Sequence, residues 1–138
     1  MVRQVDTNTF EYEDSTGTTR TWDVHRLWKL SASIHPQRVS INRFKDKIDL
    51  WLRRDTPRFS ESKGIVSLYL DDFDRIRNAD MKYPIILMSN GVFIMDGMHR
   101  LMKAWLSGAD TVLVAQFVTD PEPDQTTGPV TQPASAKW

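Results

Sequence analysis

Residues 92–108, Val-Phe-Ile-Met-Asp-Gly-Met-His-Arg-Leu-Met-Lys-Ala-Trp-Leu-Ser-Gly, hold the side chains best suited to chemistry in this 138-residue chain. An apolar strand runs into Asp96-Gly97, and a helix then opens with His99 and Arg100. That order brings free backbone N–H groups, a glycine and two basic side chains to one point, which is how proteins hold a phosphate. Gly97 and Met98 supply backbone at the helix opening, and a glycine lets an anion come close. The first N–H groups of a helix have no internal partner. Arg100 offers a two-pronged fork to phosphate oxygens, and His99 can donate from a ring nitrogen. The bland alternative makes both solvated residues of a first helical turn, where the helix dipole disfavours two cations unless an anion is present.

Other residues have a structural and a chemical reading each. Asp96 suits the N-cap of the helix, and could instead hold His99, Arg100 or a metal. Lys103 lies one turn past His99, facing the same ligand or solvent. Asp71, Asp72 and Asp74 form an acidic cluster that suits Mg²⁺, or that only complements a helix start. Asp80 stands before the Tyr83-Pro84 strand entry, at a ligand mouth or at the end of a helix. Glu11 and Glu13 are expected to face solvent from a strand. His25 and His35 have no third ligand at a recognisable spacing, so zinc is not expected. Arg43, Lys45, Lys47, Arg53, Arg54, Arg58 and Lys63 make the middle basic. With Trp51, this stretch could touch nucleic acid, clamp outer phosphates, or form a solvated helix face over a buried Trp51.

The composition bounds these readings. Hydrophobic residues are 40% and charged residues 26%, as in a globular domain, and lysine plus arginine balance aspartate plus glutamate at 18 each. A neutral balance argues against a dedicated nucleic-acid binder. With no cysteine, disulfides, thiolate metal sites and cysteine nucleophiles are excluded. The first residues lack the apolar core of a signal peptide, and no run approaches the roughly 20 apolar residues that span a bilayer. A cytoplasmic protein without a membrane partner is the expectation.

The positioning elements follow from periodicity. Residues 1–20 read as an N-terminal extension with a hairpin turning at Asp14-Ser15-Thr16-Gly17. A helix starts near Thr21 or Asp23, with Val24, Leu27, Trp28 and Ser31 on one face, and ends at Pro36. Residues 38–41 read as a short strand. A helix over about 43–53 carries Phe44, Ile48, Trp51 and Leu52 on one stripe. Residues 55–64 read as a loop, and Val66, Tyr69, Leu70, Phe73 and Ile76 suggest a helix within 65–79, whose first part could be extended instead. Ile85–Met88 and Val92–Met95 read as strands joined by a tight turn at Ser89-Asn90-Gly91. Leu101, Ala104 and Trp105 form the buried helix face before Gly108, a natural C-cap, and Val112–Phe117 is a further strand. Residues 119–138 read as a flexible tail, since Asp120-Pro121-Glu122-Pro123-Asp124 is too polar and proline-rich to pack. The whole is an α+β domain over 21–118, a small mixed sheet flanked by helices. Trp105 or Met102 could serve a homodimer or simply pack.

Tyr83-Pro84-Ile85-Ile86-Leu87, Asn90-Gly91 and Met95-Asp96-Gly97-Met98-His99-Arg100, with Ala104 beyond, resemble the ParB/sulfiredoxin superfamily and its Pro-Ile, Gly, Asp-Gly-x-His-Arg, Ala pattern. The resemblance is specific over 83–117 and looser over 22–82. It implies a ParB/sulfiredoxin-like fold and a site for the phosphates of ATP or another NTP at Gly97, Met98, His99 and Arg100. Sulfiredoxins carry a catalytic cysteine inside the motif. Met98 stands there in this chain, so that reduction is not expected. Chromosome-partitioning members add a helix-turn-helix domain, for which residues 118–138 leave no room.

Other members of the superfamily are small-molecule kinases, which need a carboxylate base and usually Mg²⁺. The resemblance therefore implies a phosphotransferase or NTPase in which His99 and Arg100 stabilise phosphate charge. Asp72 or Asp80 would orient the metal or an acceptor, either a small molecule or a macromolecule. The competing expectation is a non-catalytic nucleotide-sensing or DNA- or RNA-associated module. Nuclease activity is a third and weaker one.

Overall fold

The computed structural model describes residues 2–3, 9–53 and 73–128, and the chain is α+β. Two compact units emerge: Met1–His35 with Ile86–Asp96 and Ala115–Trp138, and Pro36–Ile85 with Gly97–Val114.

In the first unit, β1 (Val2–Arg3), β2 (Thr9–Glu13), β3 (Thr19–Asp23) and β8 (Gln125–Thr127) form an antiparallel sheet in that order. The expected hairpin is present as β2 and β3. Asp14 builds its turn, accepting from Thr16 N at 2.9 Å, Thr18 N at 3.1 Å and Arg20 Nη1 at 2.7 Å. Gly17 takes φ 87°, which a residue with a Cβ would resist. Hydrogen bonds from Thr16 and then Arg20 hold the Asp14 carboxyl below the usual carboxylate range.

Phe10 and Trp22 face each other across the ladder, each 1% exposed, with ring centroids 5.8 Å apart. Leu27, Ile86, Met88, Met95 and Phe117 complete this core. Burying side chains of this size contributes about 1.5–3 kcal/mol each.

α1 (Val24–Ser31) starts from Asp23, whose side chain accepts the His25 N–H, and buries Val24, Leu27 and Ser31. Trp28, expected on the same face, is half exposed. The helix also stops well before Pro36. Ser31 Oγ donates to Trp28 O and Ser33 Oγ to Leu30 O, so hydroxyls take up the last carbonyls.

β5 (Ile85–Leu87) pairs with β6 (Ile94–Asp96). The return strand starts later than its apolar run, because Asn90 Oδ1 accepts Val92 N at 2.8 Å and so extends the turn. Phe117 N donates to Leu87 O beside it.

The segment read as a tail behaves differently as far as Gly128. β8 pairs with β3, Trp22 Nε1 donates to Pro121 O, Arg26 Nη1 donates to Glu122 O, and Asp23 N donates to Asp124 Oδ2 at 2.7 Å. Asp120 accepts from both N and Oγ of Ser89. Polar residues attach here through hydrogen bonds, which an argument from hydrophobicity does not register.

In the second unit, β4 (Gln37–Ser40) pairs antiparallel with β7 (Thr111–Gln116), placing Arg38 opposite Leu113. A 3₁₀ turn, Ile41–Phe44, capped by Ser40, leads into α2 (Lys45–Arg53). The helix expected from 43 therefore starts two residues later, after a tighter turn. Phe44 and Ile48 are buried, Trp51 is half-buried and Leu52 is exposed. Burial lowers the Lys47 pKa, against the opposing charge of Asp46. The expected loop at 55–64, with Arg58 and Lys63, and the start of the 65–79 helix lie outside the described residues.

Residues 73–78 form α3, with Ile76 buried and Phe73 exposed. α4 (Met98–Leu106) buries Leu101, Met102 and Ala104. Trp105, expected on that face, is 40% exposed while Met102 is fully buried. Gly108 follows the helix with φ 79°, as a C-terminal glycine should. Among the described residues, no helix is long and apolar enough to cross a membrane.

Candidate functional site

The opening of α4 differs from its sequence reading in one respect that matters. Its N-cap is Gly97, at φ 111° and ψ 16°, with no side-chain cap. Gly97 is buried, and a Cβ there would meet Ile85 Cα at 3.0 Å, Arg100 Nη2 at 3.1 Å and Ile85 Cγ1 at 3.2 Å. The close backbone approach that requires glycine is therefore made by β5 and by a guanidinium of this chain.

Asp96 stands one residue before that N-cap position. It ends β6 and accepts from Trp28 Nε1 at 2.7 Å, while the His25 ring stands edge-on to Trp28 with centroids 4.7 Å apart. This bond explains why Trp28 stays at the surface despite its place on the α1 stripe: an indole N–H seeks a partner, and a carboxylate is a strong one.

The remaining candidates separate. Met98, His99 and Arg100 are half-buried in the first turn of α4. Arg100 Nη2 donates to Pro84 O at 3.1 Å. Lys103 Nζ donates to Arg77 O at 2.8 Å and Ala79 O at 3.0 Å, so it closes the end of α3, where a cation meets the negative end of the dipole.

Asp80 shapes the turn into the strand. Its carboxylate accepts Lys82 N, its carbonyl accepts Tyr83 N, and Lys82 Nζ lies 3.8 Å from Oδ2. Asp74 pairs with Arg77 at 2.8 Å. Asp72 and Asp71 lie outside the described residues. No group of three or more His, Asp or Glu side chains that could hold a metal occurs among the described residues.

What the second unit does bring together is a hollow of about 120 Å³ along the flank of α4. Arg100, Ala104 and Ser107 line it at helical spacing, Arg38 enters from β4, and Tyr83 and Met81 complete its wall. Arg38 and Arg100 are the charged side chains of this wall, and no carboxylate lines it among the described residues. Two guanidiniums around one small space suit a multivalent oxyanion, because each presents donors in a fixed planar fork.

Sequence reasoning singled out Arg100 and passed over Arg38, which it placed only as the start of a short strand. The signal that could have found Arg38 is the pairing of β4 with β7, which joins residues more than 70 positions apart. No protein family, curated protein or solved structure matches the chain.

Proposed function

We propose that the chain binds a phosphate-bearing ligand through Arg38 and Arg100, as a ParB/sulfiredoxin-like module whose ligand class includes ATP and other nucleotides. One observation carries the reading: two guanidiniums line a single hollow to which no described carboxylate contributes. The order β5, turn, β6, glycine at positive φ, α4, β7 supports the ParB/sulfiredoxin-like reading of residues 83–117.

Binding without turnover is the favoured form. Phosphoryl transfer needs a group to position the acceptor and a cation at the phosphates. Asp80, a candidate for the first role, is committed to its own turn, and Lys103 to the end of α3. The alternative phosphotransferase or NTPase reading keeps His99 as a phosphate contact and Asp72 as a ligand of Mg²⁺.

A thermal-shift series with inorganic phosphate, pyrophosphate and a nucleotide panel, each with and without Mg²⁺, tests the proposal. Stabilisation that disappears in Arg38→Ala and Arg100→Ala is the expected result. No stabilisation by any of these anions, with both variants behaving like the parent, overturns it. Product analysis of the same samples separates the two forms, since release of phosphate or transfer to water selects the enzyme.

A further inference from the structure

We infer that the Asn90-Gly91 peptide is a site of spontaneous deamidation, and that the fold holds this modification in check through Asp120. Of the four asparagines in the chain, at 8, 42, 78 and 90, Asn90 alone precedes a glycine. A glycine has no side chain to shield its own nitrogen, and Asn90 is exposed, so water reaches it.

In the reaction the Gly91 nitrogen attacks Cγ of Asn90. The bond from Cγ to the side-chain nitrogen breaks, and that nitrogen leaves as ammonia with the proton of the Gly91 amide. Water then opens the cyclic imide at either carbonyl and leaves aspartate or isoaspartate at position 90.

The contacts of the turn oppose that attack. Gly91 N donates to Met88 O at 2.9 Å, so the attacking nitrogen is directed at a neighbouring carbonyl. Asn90 Oδ1 accepts Val92 N at 2.8 Å and Phe93 N at 3.4 Å, so the group under attack is held as well. Met88 N donates to Phe93 O at 3.0 Å and closes the turn. Ring closure therefore waits on a local opening of the turn.

Asp120 clamps the residue just before Asn90. Ser89 N donates to its Oδ1 at 2.7 Å and Ser89 Oγ to its Oδ2 at 3.0 Å, while Gln116 Nε2 donates to Ser89 O at 2.9 Å. Bonds to a carboxylate are roughly twice as strong as neutral ones. A side chain 31 positions away thus sets how often the turn opens. The two products differ in consequence. Aspartate keeps an acceptor oxygen for Val92 N, whereas isoaspartate adds a methylene to the main chain and breaks the turn.

Incubation of the full chain at mildly alkaline pH, in native buffer and in urea, with peptide mapping of residue 90 by mass spectrometry, tests this. Aspartate and isoaspartate are expected to accumulate at 90 in urea, and about tenfold or more slowly in native buffer, where only the opened turn reacts. Asp120→Ala is expected to raise the native rate by about tenfold, the change in open population on losing a charge-assisted hydrogen bond, with the rate in urea unchanged. Asp14→Asn, which loosens a different turn of the same unit, is expected to leave the native rate at 90 unchanged. Equal rates in urea and in native buffer overturn the inference, as does an Asn90 that stays intact in urea. A native rate in Asp120→Ala equal to that of the parent, or matched by Asp14→Asn, overturns the role of Asp120.

Discussion

The arginines of the two units have different surroundings. In the first unit, Arg20 meets Asp14 at 2.7 Å, and Arg26 meets Asp124 at 3.1 Å while also donating to the Glu122 carbonyl. Each of these cations ties chain segments together, and its charge is met by a carboxylate of the same unit. In the second unit, Arg38 and Arg100 border a hollow whose described lining offers no carboxylate. Arg100 also donates to the Pro84 carbonyl, which helps fix its direction. Residue type therefore does not say whether an arginine pairs with an acid of its own unit or lines a hollow. The surroundings do: Asp14 lies six positions from Arg20, whereas Asp124 lies 98 from Arg26.

The comparison can be tested by variants that act on one unit and spare the other. The largest effect on stability is expected from Trp22→Ala. It removes the ring that packs on Phe10, and a truncation of this kind costs roughly 3–5 kcal/mol. Urea denaturation followed by circular dichroism reads that loss.

Gly97→Ala comes next. The new Cβ faces the Ile85 backbone at 3.0 Å, and the φ of 111° is itself unfavourable for alanine. The backbone conformation alone costs about 1–3 kcal/mol. The same denaturation experiment checks it, and a variant as stable as the parent would mean that the opening of α4 can relax.

Asp124→Ala is expected to cost about 1 kcal/mol, because the Arg26 pair is partly solvated and the bond from Asp23 N is a single one. Faster amide exchange in β3 and β8 is the accompanying sign.

Acid gives a fourth test, in direction only. The folded Asp14 carboxyl has a lowered pKa, so its stabilising contribution is complete above the ordinary value of about 3.9 and is lost as pH falls below it. Asp14→Asn should remove that part of the pH dependence. Equal slopes of stability against pH below about 4 in variant and parent would contradict this.

The smallest effect on stability is expected from Arg38→Ala, within about 0.5 kcal/mol because the side chain is exposed. Its consequence for the comparison is the largest, since phosphate-dependent stabilisation should vanish. An Arg38→Ala protein that is grossly unstable would place Arg38 with Arg20 and Arg26 as a structural cation.

Several elements were legible from local chemistry. Asp14 and Gly17 mark the hairpin turn, Asp23 the start of α1, and Gly108 the end of α4, because a cap or turn involves residues only a few positions apart. The alternation of Phe10 and Tyr12 was equally readable, as was the strand–turn–strand–helix run from Ile85 to Leu106. Where the reading failed, a distant partner was the reason. Trp28 left its stripe for Asp96, a bond across 68 positions. Lys103 went to the carbonyls that end α3, and the polar stretch from Asp120 to Asp124 found donors at Ser89, Trp22, Asp23 and Arg26.

By itself, then, the order of residues determined the hairpin turn, the strand–turn–strand–helix run from Ile85 to Leu106 and where a glycine must stand, but not β8. Those choices follow from backbone geometry and from the spacing of apolar side chains, both short-range. Only the tertiary structure decided which charges meet an acid of their own unit and which line the hollow. A hydrogen bond or ion pair depends on distance in space, and the partners that mattered here lie tens of residues away along the chain.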